Sequence, residues 1–172
     1  MKKPLLAVLA LSGAMLLSHK PAIAQDGGAP AGSGQNAQNS IDQDITLLRK
    51  DIRSQKKQLI AANLSLTDAE SQKFWPVYDQ FTEALVSINN DKYALIKEYA
   101  QNYNNMTDAQ ADDWTQRLLK VDSSVADLRQ QYWSKFRAVL PAKKTALYEQ
   151  IERRAQMLID IQISAQIPLV QP

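Results

Sequence analysis

The stretch Leu66–Phe81, LTDAESQKFWPVYDQF, predicts the beginning of a buried amphipathic helix. Thr67 is one of the residue types that cap helix N-termini, and Glu70, three positions later, completes a capping-box pattern. Four apolar residues then recur at the three- and four-residue spacing of one buried helical face: Phe74, Val77, Tyr78 and Phe81. Pro76 lies too far into this pattern to be a first-turn proline, so it is predicted to bend or split the helix.

The same opening returns later in the chain. Met106–Gln110, MTDAQ, repeats the pattern of LTDAE, so Thr107 is predicted to cap a further helix with Gln110 completing its box. Six apolar residues follow with a 4-3-4-3-4 spacing: Trp114, Leu118, Val121, Val125, Leu128 and Tyr132. This alternation is typical of the seam between helices that cross at a shallow angle, as in coiled coils.

The distribution of glycine favours helices throughout. All five glycines lie at or before Gly34, so the rest of the chain is poorly suited to β-hairpins and to phosphate-binding glycine loops. We therefore predict an all-α fold, with four amphipathic helices arranged as antiparallel long helical hairpins. The predicted helices cover about 41–62, 68–103, 108–139 and 141–167. The pattern leaves open whether the hairpins close into a bundle or form an open, curved pair.

The last predicted helix has an apolar side of its own. Pro141 fits its first turn, and Pro168 marks its end. Four residues are predicted to line the buried side: Leu147, Ile151, Leu158 and Ile161. The apolar tail Ile167–Val170 is expected to pack against the helices.

The first 24 residues have the parts of a bacterial signal peptide. Lys2 and Lys3 precede the apolar run Leu5–Leu17, which is shorter than the roughly 18–20 residues needed to span a bilayer. Ala22–Ala24 supplies the small-x-small pattern that signal peptidase recognises. We expect residues 1–24 to be removed after Ala24 and the protein to reach the periplasm, with no membrane span after cleavage.

The predicted mature chain begins with a polar segment. Residues 25–40 are rich in Gly, Ala, Ser, Gln and Asn and contain no large apolar residue, so they are predicted to be a disordered linker. Ser40–Gln43, SIDQ, has a capping-box pattern that predicts the start of the first helix. Residues 41–172 are then predicted to form a single helical domain.

The residues available after cleavage restrict the chemistry. The only histidine, His19, lies in the predicted signal peptide, and the chain has no cysteine. Zinc sites built on Cys or His, di-iron sites and His-dependent nucleophiles therefore lack their residues. Asp112 and Asp113 are adjacent carboxylates, which we interpret as favourable charges near a helix N-terminus rather than as catalytic or metal-binding groups. We expect no cofactor, no metal and no enzymatic activity.

The net charge predicted for the mature chain does not favour nucleic-acid binding. Cleavage removes three of the 20 basic residues, which leaves 17 against 18 acidic residues and a net charge of −1. Overall charge then gives no support for binding nucleic acid.

Seven residues are candidates for a polypeptide-binding surface. Five cations cluster on the first predicted helix: Arg49, Lys50, Arg53, Lys56 and Lys57. They form either an ordinary solvated face or an attractor for acidic or unfolded polypeptide or for anionic lipid head groups. Trp75 and Trp133 lie beside seam positions rather than on them. Each is interpreted either as a core or dimer contact or as part of a surface that binds client polypeptides.

The two capping motifs resemble the LTxxQ motifs of the Spy/CpxP-like group of bacterial periplasmic proteins. Leu66–Glu70 has Glu in the Gln position, and Met106–Gln110 has Met in the Leu position. Phe74–Tyr78, FWPVY, and Val139–Pro141 are similar to a recurring branch of such proteins. The resemblance covers about 41–168.

The resemblance implies a function as well as a fold. It implies an ATP-independent chaperone-like holdase of the envelope stress response, a homodimer that holds unfolded polypeptide on a concave, basic and apolar surface. Some members of the group sense metals, and the absence of His and Cys speaks against that role here. The alternative is a structural or signalling adaptor that binds one specific envelope partner. A third reading is an enzyme that uses only carboxylates or lysine.

Overall fold

The protein is all-α in the computed structural model, which describes residues 33–165 and 167–170. The chain divides into two units, 1–43 and 44–172, and of the first only residues 33–43, the opening of the first helix, are described. The described residues form four helices and no strand: α1 Ser33–Asn63, α2 Asp68–Asn102, α3 Asp108–Val139 and α4 Ala142–Ser164. This confirms the predicted fold class.

Both predicted capping boxes are present. At the start of α2, the Thr67 N–H donates to Glu70 Oε2 at 2.8 Å, and the Glu70 N–H donates to Thr67 Oγ1 at 3.3 Å. At the start of α3, Thr107 and Gln110 repeat the exchange at 2.9 and 3.3 Å. Each box satisfies backbone donors that an uncapped helix end leaves without partners. The repeated motif therefore fixes where the two long helices begin.

The first helix begins earlier than predicted. Helix α1 starts at Ser33 instead of following a cap at Ser40, so the linker predicted for 25–40 is wrong over 33–40. Residues 35–40 contain neither glycine nor proline, and lengthening an existing helix adds one hydrogen bond for each residue that is fixed. The rest of the predicted linker, 25–32, and the predicted signal peptide, 1–24, lie outside the described residues.

Helix α2 is continuous through its internal proline. Of the two effects predicted for Pro76, a split does not occur. Proline removes one backbone donor from the helix. Phe74 and Tyr78 on either side of it are buried, so packing on the neighbouring helices stabilises this turn.

Side-chain pairs define the direction of each helix. Arg49 and Lys57 of α1 bond to Asn90 and Asp79 of α2, so the later residue on α1 meets the earlier one on α2. Helices α1 and α2 are therefore antiparallel.

Helices α2 and α3, which pack along one another most extensively, are also antiparallel, because Glu98 pairs with Arg117 while the ring of Phe81 contacts that of Tyr132. Ion pairs and ring contacts between α2 and α4 occur in the same order along the two helices, so α2 and α4 run parallel. The predicted hairpin arrangement is confirmed.

The core is largely aromatic and lies where all four helices meet. Its fully buried or nearly buried members are Ile60, Leu64, Phe74, Tyr78, Phe81, Leu85, Leu128, Tyr132, Phe136, Leu140, Tyr148 and Ile151. The rings of Phe136 and Tyr148 lie 4.4 Å apart, and those of Phe74 and Tyr148 meet edge-on at 5.2 Å. Edge-on and tilted ring pairs add to the free energy of burying the aromatic surface.

The face predicted for α4 is wrong. Leu147, Leu158 and Ile161 are 40%, 41% and 62% exposed, and of the four residues predicted to be buried only Ile151 belongs to the core. The buried side instead carries Thr145, Tyr148, Ile151, Glu152 and Ala155. The apolar pattern misled because this side includes a buried glutamate, while exposed apolar residues continue on the adjoining side of the helix.

The apolar tail is only partly packed. The Tyr99 hydroxyl donates to the Pro168 carbonyl at 2.8 Å, which ties the tail to α2. Leu169 and Val170 remain 81% and 46% exposed. The expected packing of this tail is therefore limited to its beginning.

Candidate functional site

Lys56, predicted to lie on a basic surface, is buried. Its Nζ lies 2.5 Å from Oε1 of Glu152, and the two side chains are 7% and 0% exposed. A charge is retained in the interior only with such a partner, because desolvation otherwise costs several kcal/mol. Lys56 thus joins α1 to α4 and is not available to an external ligand.

Two core tyrosines share this environment. Burial raises the pKa of Tyr78 and of Tyr148, and the nearby carboxylate of Glu152 raises both further. Both phenols therefore stay protonated and neutral over the physiological range of pH. Lys56, Glu152 and the two tyrosines therefore form a buried polar cluster within the core.

Two other cations of α1 are engaged by α2. Lys57 Nζ lies 2.6 Å from Asp79 Oδ1 and 5.2 Å from the centroid of the Trp75 ring. Arg49 donates to Asn90 Oδ1 at 2.7 Å and lies over a tyrosine ring of the same helix. These contacts direct both side chains along α2.

The remaining two predicted cations are less constrained. Lys50 is exposed, and Arg53 is half-buried. The five cations predicted to form one basic face are therefore distributed between the interior, the α1–α2 contact and the surface.

The two candidate tryptophans have different surroundings. Trp75 is half-buried at the edge of the core, with its ring 5.0 Å from Phe74 and 5.5 Å from Tyr78. Trp133 is 43% exposed on α3, and none of the ring contacts found among the described residues involves it. Trp75 is therefore a packing residue, whereas Trp133 is accessible to a partner.

Sequence reasoning missed a surface on α4, called here the α4 outer face. Its members are all exposed and combine apolar residues with cations: Lys143, Leu147, Gln150, Arg154, Met157, Leu158 and Ile161. At about 100° per residue, these positions fall on one side of the helix. Three of them, Leu147, Leu158 and Ile161, are visible in the sequence as an apolar spacing, which was predicted to be buried. Tyr148, Ile151 and Ala155 form a second apolar stripe on the same helix. This second stripe was the signal that only one of the two apolar sides of α4 could be buried.

A charged cleft of about 210 Å³ lies between α2, α3 and α4. It is lined by Leu85, Asn89, Lys92, Asp122, Val125, Arg129, Gln156 and Asp160. Lys92 Nζ lies 3.2 Å from Asp160 Oδ1 and 4.0 Å from Asp122 Oδ1, so the charges largely compensate one another. The volume is below the roughly 300–1,000 Å³ typical of small-molecule sites.

The described part of the chain has neither a cluster of metal ligands nor a membrane-spanning helix. No group of three or more His, Cys, Asp and Glu side chains is placed to hold a metal ion. None of the helices described is long and apolar enough to cross a membrane.

Comparisons with known proteins add no family. The chain matches no protein-family model, no curated protein and no solved structure. The resemblance to the Spy/CpxP-like group therefore stays a prediction from the motifs.

Proposed function

We propose that this chain is a non-enzymatic polypeptide-binding protein of the periplasm, a chaperone-like holdase that works without ATP in the envelope stress response. The observation that supports this proposal is the α4 outer face, where exposed Leu147, Leu158 and Ile161 share one side of the helix with the cations Lys143 and Arg154. Contiguous exposed apolar surface rimmed by polar groups is typical of interaction sites.

The chemistry of this surface suits unfolded polypeptide. Burial of apolar surface contributes about 25 cal/mol per Å², which favours contact with the apolar residues that an unfolded chain exposes. Cations on the same face would attract acidic segments and speed their capture. Elsewhere on the surface, exposed Trp133 on α3 offers a further apolar contact, and exposed Lys50 on α1 offers a further cation. The surface proposed here thus differs from the basic α1 face predicted from the sequence.

Two features of the sequence support the remaining parts of the proposal. The Lys-Lys start, apolar run and Ala-x-Ala site of residues 1–24 favour export, and the motifs at Thr67 and Thr107 resemble those of periplasmic chaperones. Beyond residue 24 the chain holds neither His nor Cys, which favours a binding role over nucleophilic or zinc-dependent catalysis.

The proposal is tested by light scattering of unfolding client proteins. We would purify the chain from Gln25 onward, the proposed mature start, and add it to two unrelated aggregating clients. Suppression of both clients at a near-stoichiometric ratio, weakened by raised salt, is the expected result. Protection of neither client would overturn the holdase. Capture of one specific envelope protein would then favour the adaptor.

A further inference from the structure

We infer that the α4 outer face selects partner segments that form an amphipathic helix with a carboxylate between two apolar ends. The inference rests on the proposed function, because it names the class of polypeptide that the surface takes. It is carried by three observations, namely the charge of the face, the order of its residues and the curvature of a single helix.

The face is cationic and contains no carboxylate. All three acidic residues of α4 lie on its other sides: Glu149, Glu152 and Asp160. Glu152 is buried against Lys56, and Asp160 pairs with Lys92 of α2. Glu149 is partly buried, and its burial raises its pKa while Arg129 opposes that shift. The surface left to a partner is therefore positive, and it is complementary to an acidic segment.

The order along the face matters as much as its charge. Arg154 lies between Leu147 on one side and Leu158 and Ile161 on the other, at spacings of seven, four and seven residues. From Leu147 to Ile161 the face is about 21 Å long at 1.5 Å per residue. Such spacing matches the contact seam of a second helix of some four turns. The matching partner has apolar residues near both ends and an acidic residue opposite Arg154.

A helix fits this face better than a bilayer does. Arg154 lies on the same stripe as Leu147 and Leu158, so a membrane would have to accept the guanidinium at the depth of the leucines. Charged side chains at that depth are costly, whereas a carboxylate on a partner helix pairs with arginine in a bidentate geometry. The α4 outer face is also the convex side of one helix, and amphipathic helices, unlike extended chains, pack by interlocking ridges on such a surface.

The test uses two labelled synthetic helices and fluorescence anisotropy. Both are 18-residue Ala-rich peptides with leucines near each end, and they differ only in a central Glu or a central Lys. We expect the Glu peptide to bind the purified protein at least tenfold more tightly than the Lys peptide. Arg154→Glu is expected to reverse this preference. Lys73→Glu makes the same charge change at an exposed position on α2 and should leave the preference intact.

The outcomes separate this inference from the proposed function. Equal binding of the two peptides, or an Arg154→Glu variant that keeps the original preference, overturns the inference even if client aggregation is still suppressed. Charge-selective peptide binding without suppression of any client would support the inference and overturn the holdase. Arg154-dependent binding to vesicles of phosphatidylcholine and phosphatidylglycerol without peptide binding would make the face a membrane surface, which also overturns the inference. A dimer in light-scattering chromatography that Arg154→Glu converts to a monomer would assign the face to a second copy, with the same consequence.

Discussion

The pair Lys56–Glu152 shows how one residue can carry an unexpected structural role. Its two charges lie 2.5 Å apart in an environment that excludes water, between α1 and α4. The gain from such a pair over apolar residues is small, but removing one partner leaves the other charge buried and unpaired. The cost of a single substitution should therefore exceed the cost of replacing both residues.

We expect Lys56→Met to lower the free energy of unfolding by about 3–5 kcal/mol, because it leaves the Glu152 carboxylate uncompensated. Lys56→Met combined with Glu152→Met should recover most of this loss. Urea unfolding followed by circular dichroism measures both. Lys50→Met, at an exposed position of the same helix, is the matched control and should stay within about 0.5 kcal/mol of the wild type. A Lys56→Met variant as stable as this control would mean that the pair is not buried in solution.

Local patterns were readable from the sequence, and distant partners were not. The caps at Thr67 and Thr107 follow from residues three positions apart, so the sequence was sufficient to predict them. Lys56 finds its partner 96 residues away. Its spacing of four residues from Ile52 and from Ile60 places it on the apolar side of α1, but nothing near it in the chain identifies the partner that allows a charge there. Because lysine is usually exposed, Lys56 was predicted to lie on the surface, and it was wrongly included among the candidate binding residues.

Pairs of helices are joined by carboxylates whose titration should affect stability. Glu70 of α2 lies 2.5 Å from Lys144 of α4, whose hydrogen bond lowers the pKa of Glu70, followed by the hydrogen bond from the Thr67 backbone. Glu98 of α2 pairs with Arg117 of α3, and this hydrogen bond lowers the pKa of Glu98. Folding thus favours the ionised form of both groups.

We expect stability to fall on acidification below the ordinary carboxyl pKa of about 4.5. A carboxyl group with a lowered pKa in the fold contributes its full stabilisation above its unfolded pKa and loses it as the pH drops through the folded value. The urea midpoint at pH 6 and at pH 3.5 measures the effect. Glu70→Gln combined with Glu98→Gln should be less stable than the wild type at pH 6 and lose less on acidification.

Glu83→Gln provides the control for this experiment, because Glu83 is exposed on α2. It should leave the acid response of the wild type unchanged. If the double variant loses stability on acidification as steeply as the wild type does, the two pairs do not link the helices in the way the contacts suggest.

The helices differ in how well the sequence defined them. Helices α2 and α3 were predicted closely because each has one apolar seam and a capping box. Helix α4 was predicted in position but not in orientation, because apolar residues occupy two of its sides. Periodicity identifies an apolar side without saying what covers it, and burial depends on the other helices. The α4 outer face was therefore present in the sequence but assigned to the interior.

Across the described residues, the early part of α1 buries much less apolar surface than the other helices do. Ile60 and Leu64, at and just after its C-terminal end, belong to the core, whereas Leu47 and Leu48 are 65% and 47% exposed. Helices α2, α3 and α4 contribute the remaining core residues except Leu140, which lies in the connection between α3 and α4. Regions with little buried apolar surface open with smaller free energies than the core does.

We expect amide hydrogen exchange to reveal this gradient. Amides in 47–54 of α1 should exchange at least about tenfold faster, relative to unstructured peptides, than those in 74–85 of α2 or 128–136 of α3, because opening the early part of α1 exposes little apolar surface. Mass spectrometry of deuterated peptides measures the difference. Equal protection in all three segments would contradict it and indicate that the helices open only together. The α4 outer face is exposed in the folded protein, so a partner can bind it without any opening of α1.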